Sequence, residues 1–278
     1  MPVRIIESKQ NLRLKELRKA LVQPGRNERG LVAVEGPNLV AEALRAGLGV
    51  ESIFIGGDDA ATGFQSEHDL ADLNVFLVPG DSLKSFLATE TPQPVAALVK
   101  PPSWTWAHLL GAGEVDSLIL VLAGLQDPGN LGTIIRSAEA FGASGLVCLP
   151  GTVNTWNPKA VRASAGSVFR VPVLTASEQG ALTNLREAGV RLLTTTALGA
   201  EPADLADLAG PVALLIGNEG NGVPADLAAT ADGAITIPCP GAVESLNAAV
   251  AASVLLYEAS RQRVAKAGGH PDLRGGSR

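Results

Sequence analysis

Residues 118–149 read LILVLAGLQDPGNLGTIIRSAEAFGASGLVCL, and this stretch decides the fold of the carboxyl-terminal half of the chain. An apolar run at 118–122 leads into a polar, glycine-containing loop at 126–132, then into a helical pattern and a second apolar run at 146–149. A strand, a helix and a returning strand are the unit of a parallel sheet. Ligands bind such sheets at the carboxyl ends of the strands, so we expect the loop to face a site.

Two later segments have the same local order. Residues 214–222, LLIGNEGNG, and residues 237–247, IPCPGAVESLN, each join a short apolar run to a flexible polar turn and the start of a helix. Because all three loops follow strands in one half of the chain, we predict a single composite pocket. The glycine spacing at 217–222 matches neither the dinucleotide fingerprint nor the phosphate-binding loop, which disfavours hydride transfer and ATP hydrolysis.

Strands and helices alternate along the whole chain, which predicts two α/β domains, the second with a parallel sheet covered on both faces. The domain boundaries that we predict are 1–103, a linker at 104–116, 117–267, and a disordered tail at 268–278. In the first domain we expect helices at 11–22, 37–46 and 81–88 and strands at 31–35, 52–55, 75–78 and 95–99. In the second we expect helices at 133–141, 158–165, 225–229 and 246–263 and strands at 118–122, 146–149, 191–195, 212–216 and 234–237.

Composition limits the class of protein. The chain has 278 residues, of which 46% are hydrophobic and 18% charged, so it can bury a sizeable core. No apolar run reaches the roughly 20 residues of a membrane span, and the first residues lack the apolar segment of a signal peptide. We therefore expect a cytoplasmic protein without a membrane partner. Cys148, Cys239 and the three histidines are scattered, so we predict neither a disulfide nor a metal site.

Charge is unevenly distributed. The net charge is −6, yet residues 1–30 hold eight basic and three acidic residues, a local net charge of +5. A basic patch of this kind can recruit phosphates even on an acidic protein. The alternative is a solvated helix face opposite the apolar stripe of Leu14, Leu17 and Leu21. Composition alone leaves both interpretations open.

Single residues in the three loops have ordinary structural explanations. Asn130 can be a turn residue, Ser245 a helix N-cap and Arg136 a surface charge. Their joint order, however, resembles the three motifs of the SpoU (TrmH) family of RNA ribose methyltransferases in the SPOUT superfamily. Residues 157–166 are similar to the family's stretch between its first two motifs, and residues 32–36 to its ribosomal-protein-like substrate-binding domain. The motif residues are Asn130, Gly132 and Arg136, then Gly217, Glu219, Gly220 and Gly222, then Ile237, Pro238, Glu244, Ser245, Leu246 and Asn247.

The resemblance implies a trefoil-knotted α/β domain that binds S-adenosylmethionine in the knot and works as a homodimer. Because the helix at 246–263 is apolar almost all round, we expect it at the interface, and burial inside its own domain is the alternative. The resemblance also implies a structured RNA as substrate, with ribosomal RNA favoured because of the additional amino-terminal domain and transfer RNA as the alternative. The catalytic residues would be Arg136, Asn130, Glu219, Ser245 and Asn247. The cofactor would be held near Thr196, Gly217, Ile237 and Leu246. Residues of the basic amino-terminal segment would bind RNA, namely Arg13, Lys15, Arg18 and Arg26.

The chemistry leaves one role open. A ribose 2′-hydroxyl is a poor nucleophile near neutral pH and must be aligned and relieved of its proton. With a pKa above about 12, Arg136 is an awkward general base, so it either shares proton transfer with an RNA phosphate or orients the hydroxyl. Two other functions remain as alternatives, a base-nitrogen methyltransferase of the same superfamily and a knotted RNA-binding or ribosome-assembly protein without catalysis. Asn130, Arg136, Ser245 and Asn247 favour ribose methylation.

Overall fold

The chain folds into two compact units in the computed structural model, which describes residues 4–8, 10–23, 25–57, 63–64, 70, 72–85, 87, 94–111, 116–197, 199–243 and 245–268. The amino-terminal unit comprises Met1–Ser103 together with Asn154–Arg170. The carboxyl-terminal unit comprises Trp104–Val153 together with Val171–Arg278. The motif residue Glu244 and, from residue 269 onward, the tail that we predicted lie outside the described residues.

The strands follow the chain in this order: β1 Arg4–Ile5, β2 Val32–Glu35, β3 Gly49–Gly56, β4 Val75–Val78, β5 Val95–Lys100, β6 Leu118–Leu122, β7 Gly145–Cys148, β8 Val173–Thr175, β9 Arg191–Thr195, β10 Glu201–Pro202, β11 Val212–Ile216 and β12 Gly233–Thr236. The helices are α1 Leu12–Val22, α2 Pro37–Arg45, α3 Gly80–Lys84, α4 Trp106–Leu110, α5 Pro128–Ala140, α6 Pro158–Ala163, α7 Glu178–Glu187, α8 Ala225–Ala228 and α9 Ala248–Lys266, with a 3₁₀ turn at Ser167–Phe169.

The amino-terminal unit is built on a mixed sheet with the strand order β1-β4-β3-β5-β2. Helix α1 begins where the side chain of Asn11 accepts a hydrogen bond from the main-chain N–H of Arg13 at 2.8 Å. Its apolar stripe of Leu14, Leu17 and Leu21 is buried, as the sequence predicts. Strand β2 is an edge of the sheet, and α6 packs against it.

The carboxyl-terminal unit is built on a sheet with the order β10-β12-β9-β11-β6-β7-β8, in which every pairing between neighbouring described strands is parallel. Strands β6 and β11 are buried along their whole length, which explains why LILVL and VALLI are continuous apolar runs rather than alternating ones. The α/β class and the parallel second sheet are thus confirmed.

Several boundaries differ from the prediction. Helix α5 begins at Pro128 and not at Thr133, because Asp127 caps it and proline suits the first helical position. Helix α9 begins at Ala248 and not at Leu246, because Asn247 is its N-cap. Strand β8 and helix α7 were missed, since β8 is short and only partly buried and α7 is polar.

The predicted linker at 104–116 contains helix α4, whose Leu109 is fully buried in the core of the carboxyl-terminal unit. Residues 154–170 are predicted from sequence in the second domain, whereas the structure groups them with the amino-terminal unit. Two ion pairs connect this segment to the amino-terminal unit. Arg162 approaches Glu35 to 3.8 Å, and Arg170 approaches Glu42 to 2.7 Å.

Arg263 fastens the long helix α9 to its own unit. Its guanidinium donates hydrogen bonds to the carbonyl oxygens of Leu208 at 3.2 Å, Ser117 at 3.1 Å, Gly210 at 2.6 Å, and Asp116. Burial lowers the pKa of Arg263 below its ordinary value, although nearby carboxylates oppose the change, and the group remains charged. One planar, five-donor group therefore satisfies carbonyls at the starts of β6 and β11.

We expect Arg263→Met to lower the free energy of unfolding by about 2 kcal/mol or more, because the charged donors are lost from several carbonyl oxygens at once. Arg261→Met is the matched control. That side chain is exposed and bonds Glu258 on its own helix, so its loss should change stability little. Urea unfolding followed by circular dichroism measures both. Equal effects of the two substitutions would contradict the role given to Arg263.

Candidate active site

A chain of side-chain hydrogen bonds joins the three polar loops. The Nδ2 group of Asn130, in the first turn of α5, donates to Oε1 of Glu219 at 2.8 Å. The Nδ2 group of Asn247 donates to Oδ1 of Asn130 at 3.1 Å. The loops after β6, β11 and β12 are therefore in direct contact, and the composite pocket that we predicted has a physical basis.

The direction of these hydrogen bonds is fixed at both ends. A carboxylate accepts but does not donate, so Glu219 requires the amide nitrogen of Asn130 to face it. Asn130 then presents its oxygen to Asn247. The oxygen of Asn247 is taken by the helix start, where it accepts from the N–H groups of Ala249 at 2.9 Å and Val250 at 3.3 Å. Both amide orientations thus follow from the network rather than from a choice of rotamer.

Glu219 also holds the loop after β6 through main-chain groups. Its carboxylate accepts from the N–H groups of Gln126 at 3.4 Å and Asp127 at 3.3 Å. Partial burial is the largest single influence on the pKa of Glu219 and acts to raise it. Hydrogen bonds from the Asn130 side chain and from the main chain of Glu219, Asp127 and Gln126 together outweigh burial, so the pKa lies below its ordinary value. The carboxylate is therefore ionised at neutral pH.

The loop after β11 is a tight turn that requires glycine. Asn218 and Gly222 exchange two main-chain hydrogen bonds of 3.1 Å, and Oδ1 of Asn218 accepts from the N–H groups of Gly220 and Asn221. A Cβ atom on Gly217 would lie 1.9 Å from the carbonyl carbon of Gly222. The main chain of Gly222 and Val223 therefore occupies the space that a side chain at position 217 would need.

Two positioning residues were missed from the sequence. Asp127 accepts from the N–H of Asn130 at 2.9 Å and so sets the start of α5; the Asp-Pro pair at 127–128 was a usable signal for this cap. Asn218 closes the turn after β11, and its place two residues before Gly220 is typical of an Asx turn.

A cavity of about 750 Å³ lies beside this network within the carboxyl-terminal unit. Its walls come from the carboxyl ends of β9, β11 and β12 and from the first turns of α9. The residues predicted to hold a cofactor all line it, namely Thr196, Gly217, Ile237 and Leu246. Glu219 and Ser245 line it as well, so Glu219 belongs both to the hydrogen-bond chain and to the cavity wall.

The other two predicted catalytic residues, Arg136 and Ser245, take no part in the hydrogen-bond chain of Glu219, Asn130 and Asn247. Arg136 is exposed on α5, two helical turns after the loop, and forms no hydrogen bond or ion pair with any residue that the structure describes. The side chain of Asn130 bonds Glu219 and Asn247 instead. Ser245 is exposed and is not the cap of α9, a role taken by Asn247.

The predicted RNA-binding residues lie in the amino-terminal unit. Lys15 and Arg18 are exposed on α1. Arg13 pairs with Glu16 at 3.4 Å and approaches Glu51 to 3.8 Å, so part of its charge is neutralised locally. The Arg26 guanidinium donates to the carbonyl oxygen of Pro102 at 3.3 Å. These four residues are therefore not equivalent as phosphate ligands.

Two other classes of site are absent from the described ranges. No group of three or more His, Cys, Asp or Glu residues is arranged there to hold a metal ion. Among the helices of the described part of the chain, none has the length and apolar character needed to cross a membrane.

Comparison with known proteins identifies the class. Residues 117–257 match the model of the SpoU rRNA methylase family, and residues 33–105 match the RNA 2′-O ribose methyltransferase substrate-binding family. The chain belongs to the SpoU rRNA methylase family, whose members are RNA 2′-O-ribose methyltransferases. The resemblance carried by the three loops is thereby confirmed.

Individual relatives extend over nearly the whole chain. The chain is 33% identical over 257 residues to the 23S rRNA (guanosine(2553)-2′-O)-methyltransferase RlmP of Bacillus subtilis, covering 91% of this chain and 97% of the relative. It superposes on the SpoU methyltransferase AviRb of Streptomyces viridochromogenes, solved with AdoMet, with a TM-score of 0.81, 31% identity and coverage of 94% and 100%. An AdoMet-bound rRNA methyltransferase of Sinorhizobium meliloti gives a TM-score of 0.80, 30% identity and coverage of 93% and 98%.

Glu219→Gln tests the charge at one end of the hydrogen-bond chain. Because the pKa of Glu219 lies below the ordinary value of 4.5, its ionised form stabilises the folded state above pH 4.5, and this contribution is lost as pH falls through the lowered folded-state pKa. The wild type should exceed Glu219→Gln in stability at neutral pH, and the difference should shrink in acid. Urea unfolding between about pH 7 and about pH 3.5 measures it. A difference that stays constant over this range would contradict the prediction.

Proposed function

We propose that this protein transfers the methyl group of S-adenosylmethionine to a ribose 2′-hydroxyl of ribosomal RNA. The observation that supports this most strongly is the hydrogen-bond chain from Glu219 through Asn130 to Asn247 beside the cavity of about 750 Å³. Family membership and the activities named for RlmP and the AdoMet-bound structures support the same function. The predicted cytoplasmic location would give the protein access to ribosomal RNA.

The residues present fit the cofactor. Small-molecule sites have volumes of about 300 to 1,000 Å³, and this cavity falls within that range. The missing side chain at Gly217 lets the main chain of Gly222 and Val223 close the turn that forms part of the cavity wall. Thr196, Gly217, Ile237 and Leu246 would hold the cofactor. When bound, it would supply an electrophilic methyl group on a sulfonium.

The polar residues of the three loops and Arg136 would position the ribose and its 2′-hydroxyl. Asn130 would position the ribose at the start of α5, since its amide is fixed by Glu219 and Asn247. Glu219 and Ser245 would close the pocket from the other two loops. Arg136 would either orient the 2′-hydroxyl or act together with an RNA phosphate in removing the proton of that hydroxyl. Arg136 has no partner among the described residues, so its N–H donors are available to RNA.

The two predicted domains would divide the work. Residues 117–267 would carry the cofactor and the reacting groups. Residues 1–103 would hold structured RNA, with Arg13, Lys15, Arg18 and Arg26 contacting phosphates. The match of residues 33–105 to a substrate-binding family supports this division. Because Arg13 is already paired with Glu16, the exposed Lys15 would contribute more to binding than Arg13.

We also propose that the carboxyl-terminal unit is a trefoil knot. Strand β12 is separated from β6 by β9 and β11, yet the chain that leaves β12 reaches α5, the helix that follows β6. Ser137 on α5 and Ser253 on α9 are hydrogen-bonded at 2.7 Å. Such a return path across the strand ends supports a threaded topology, which is rare among proteins.

A homodimer through α9 completes the proposal. The helix buries Ala252, Leu255 and Leu256 within its own unit but exposes Val250, Val254 and Tyr257, at 49%, 41% and 56% of their surface. A helix that buries one apolar face in its own unit and exposes another suits a second copy of the chain. The alternative, a helix buried entirely within its own unit, does not explain the exposed side chains.

Gly217→Ala tests the cofactor site. The added Cβ would lie 1.9 Å from the Gly222 carbonyl carbon and 2.1 Å from the Val223 nitrogen, so the turn must move into the cavity or away from it. We expect affinity for S-adenosylmethionine to fall by about tenfold or more, measured by calorimetry. Gly220→Ala is the matched control, because its Cβ would meet nothing closer than 3.7 Å. Unchanged affinity in a folded Gly217→Ala protein would contradict the assignment.

Arg136→Ala tests the reaction itself. Methyl transfer to a 23S ribosomal RNA transcript should fall by about a hundredfold or more in single-turnover assays, with cofactor affinity nearly unchanged. Arg136→Lys should restore little, because a point charge cannot reproduce the planar guanidinium. Arg186→Ala, which removes an exposed cation of the same unit, is the control. Near-wild-type transfer by Arg136→Ala would refute the role, and a nucleoside digest showing base methylation would replace the proposed reaction with the base-nitrogen alternative.

A further inference from the structure

The sequence places residues 154–170 in the second domain, whereas the structure groups them with the first. They leave the carboxyl-terminal sheet between β7 and β8 and belong to the amino-terminal unit. The segment contains three basic residues and no acidic one, within a chain of net charge −6. A basic segment that is built onto a substrate-binding domain suggests contact with a polyanion.

We propose that residues 154–170 form a second RNA-contacting element of the amino-terminal unit, in which Lys159 binds a phosphate and Trp156 supports a base or ribose. This inference rests on the proposed function and extends it to a segment outside residues 1–103.

Charged contacts attach the segment to its unit. Arg162 lies 3.8 Å from the buried carboxylate of Glu35, and Arg170 lies 2.7 Å from Glu42. A Cβ on Gly166 would stand 2.8 Å from the Cβ of Glu42, so the turn there can only be glycine at this spacing. These contacts assign Arg162 and Arg170 to attachment.

The exposed groups of the segment suit RNA. Lys159 is exposed in the first turn of α6. The half-buried ring of Trp156 is nearly parallel to that of Phe169, with a centroid distance of 6.4 Å and an interplanar angle of 16°. An indole held in place by a buried ring is a suitable stacking platform, and stacking on aromatic side chains is a common way to bind unpaired bases.

The segment lies next to one of the amino-terminal residues that we propose to bind RNA, Arg26. The Nδ2 atom of Asn154 lies 3.2 Å from where a Cβ of Gly25 would stand, so the start of the segment adjoins the loop that carries Arg26. Asn154 also accepts from the N–H of Trp156 at 2.8 Å, which places Trp156 at this junction. A single RNA strand could therefore contact Arg26 and Trp156 together.

Three variants of the full-length protein test the proposal by binding to a 23S ribosomal RNA transcript at two salt concentrations. Lys159→Gln should weaken binding and reduce the slope of log affinity against log salt by about one, as expected for one lost phosphate contact. Trp156→Leu, which keeps an apolar contact with Phe169, should weaken binding about fivefold or more without changing the slope. Lys84→Gln, an exposed lysine of α3 in the same unit, is the charge-matched control and should change neither quantity.

Cofactor affinity and thermal stability are measured for each variant, because a merely structural role would lower stability rather than the salt slope. Lys159→Gln and Trp156→Leu proteins that bind RNA like the wild type would overturn this inference while leaving the proposed function intact. A wild-type protein that neither binds nor methylates the transcript would refute the proposed function, and this inference with it.

Discussion

The site depends on one interaction, the hydrogen bond between the side-chain amides of Asn130 and Asn247. It joins the start of α5 to the start of α9, two helices that follow strands separated in the sheet by β9 and β11. A neutral hydrogen bond contributes only about 0.5–1.5 kcal/mol to stability. Its importance here is geometric, because the ionised Glu219 at one end and the helix N–H groups at the other leave each amide a single orientation.

Glu219 is stabilised differently from the carboxylates that form ion pairs. In the amino-terminal unit, carboxylates hold arginines in place, as Glu16 does for Arg13 and Glu42 for Arg170. In the carboxyl-terminal unit, Glu219 has no cationic partner among the described residues and is stabilised by amides instead. An ionised group held by neutral donors keeps the local field negative, which would attract a positively charged sulfonium.

The local parts of this architecture could be predicted from sequence, and the long-range parts could not. The continuous apolar runs of β6 and β11 indicated buried parallel strands, and the three loops indicated both the family and the residues that line the cavity. The start of α5 was placed too late because the cap at Asp127 was overlooked. The attachment of residues 154–170 depends on Arg162 and Arg170 meeting carboxylates more than a hundred positions away, and no local pattern encodes such a pairing.

The dual use of Asn247 has a consequence for folding. Its oxygen starts helix α9 while its nitrogen holds Asn130, so the contact between the loops after β6 and β12 and the first turn of α9 form together. Fraying of that first turn would release Asn130, and order in the pocket is therefore coupled to the helicity of residues 248–250.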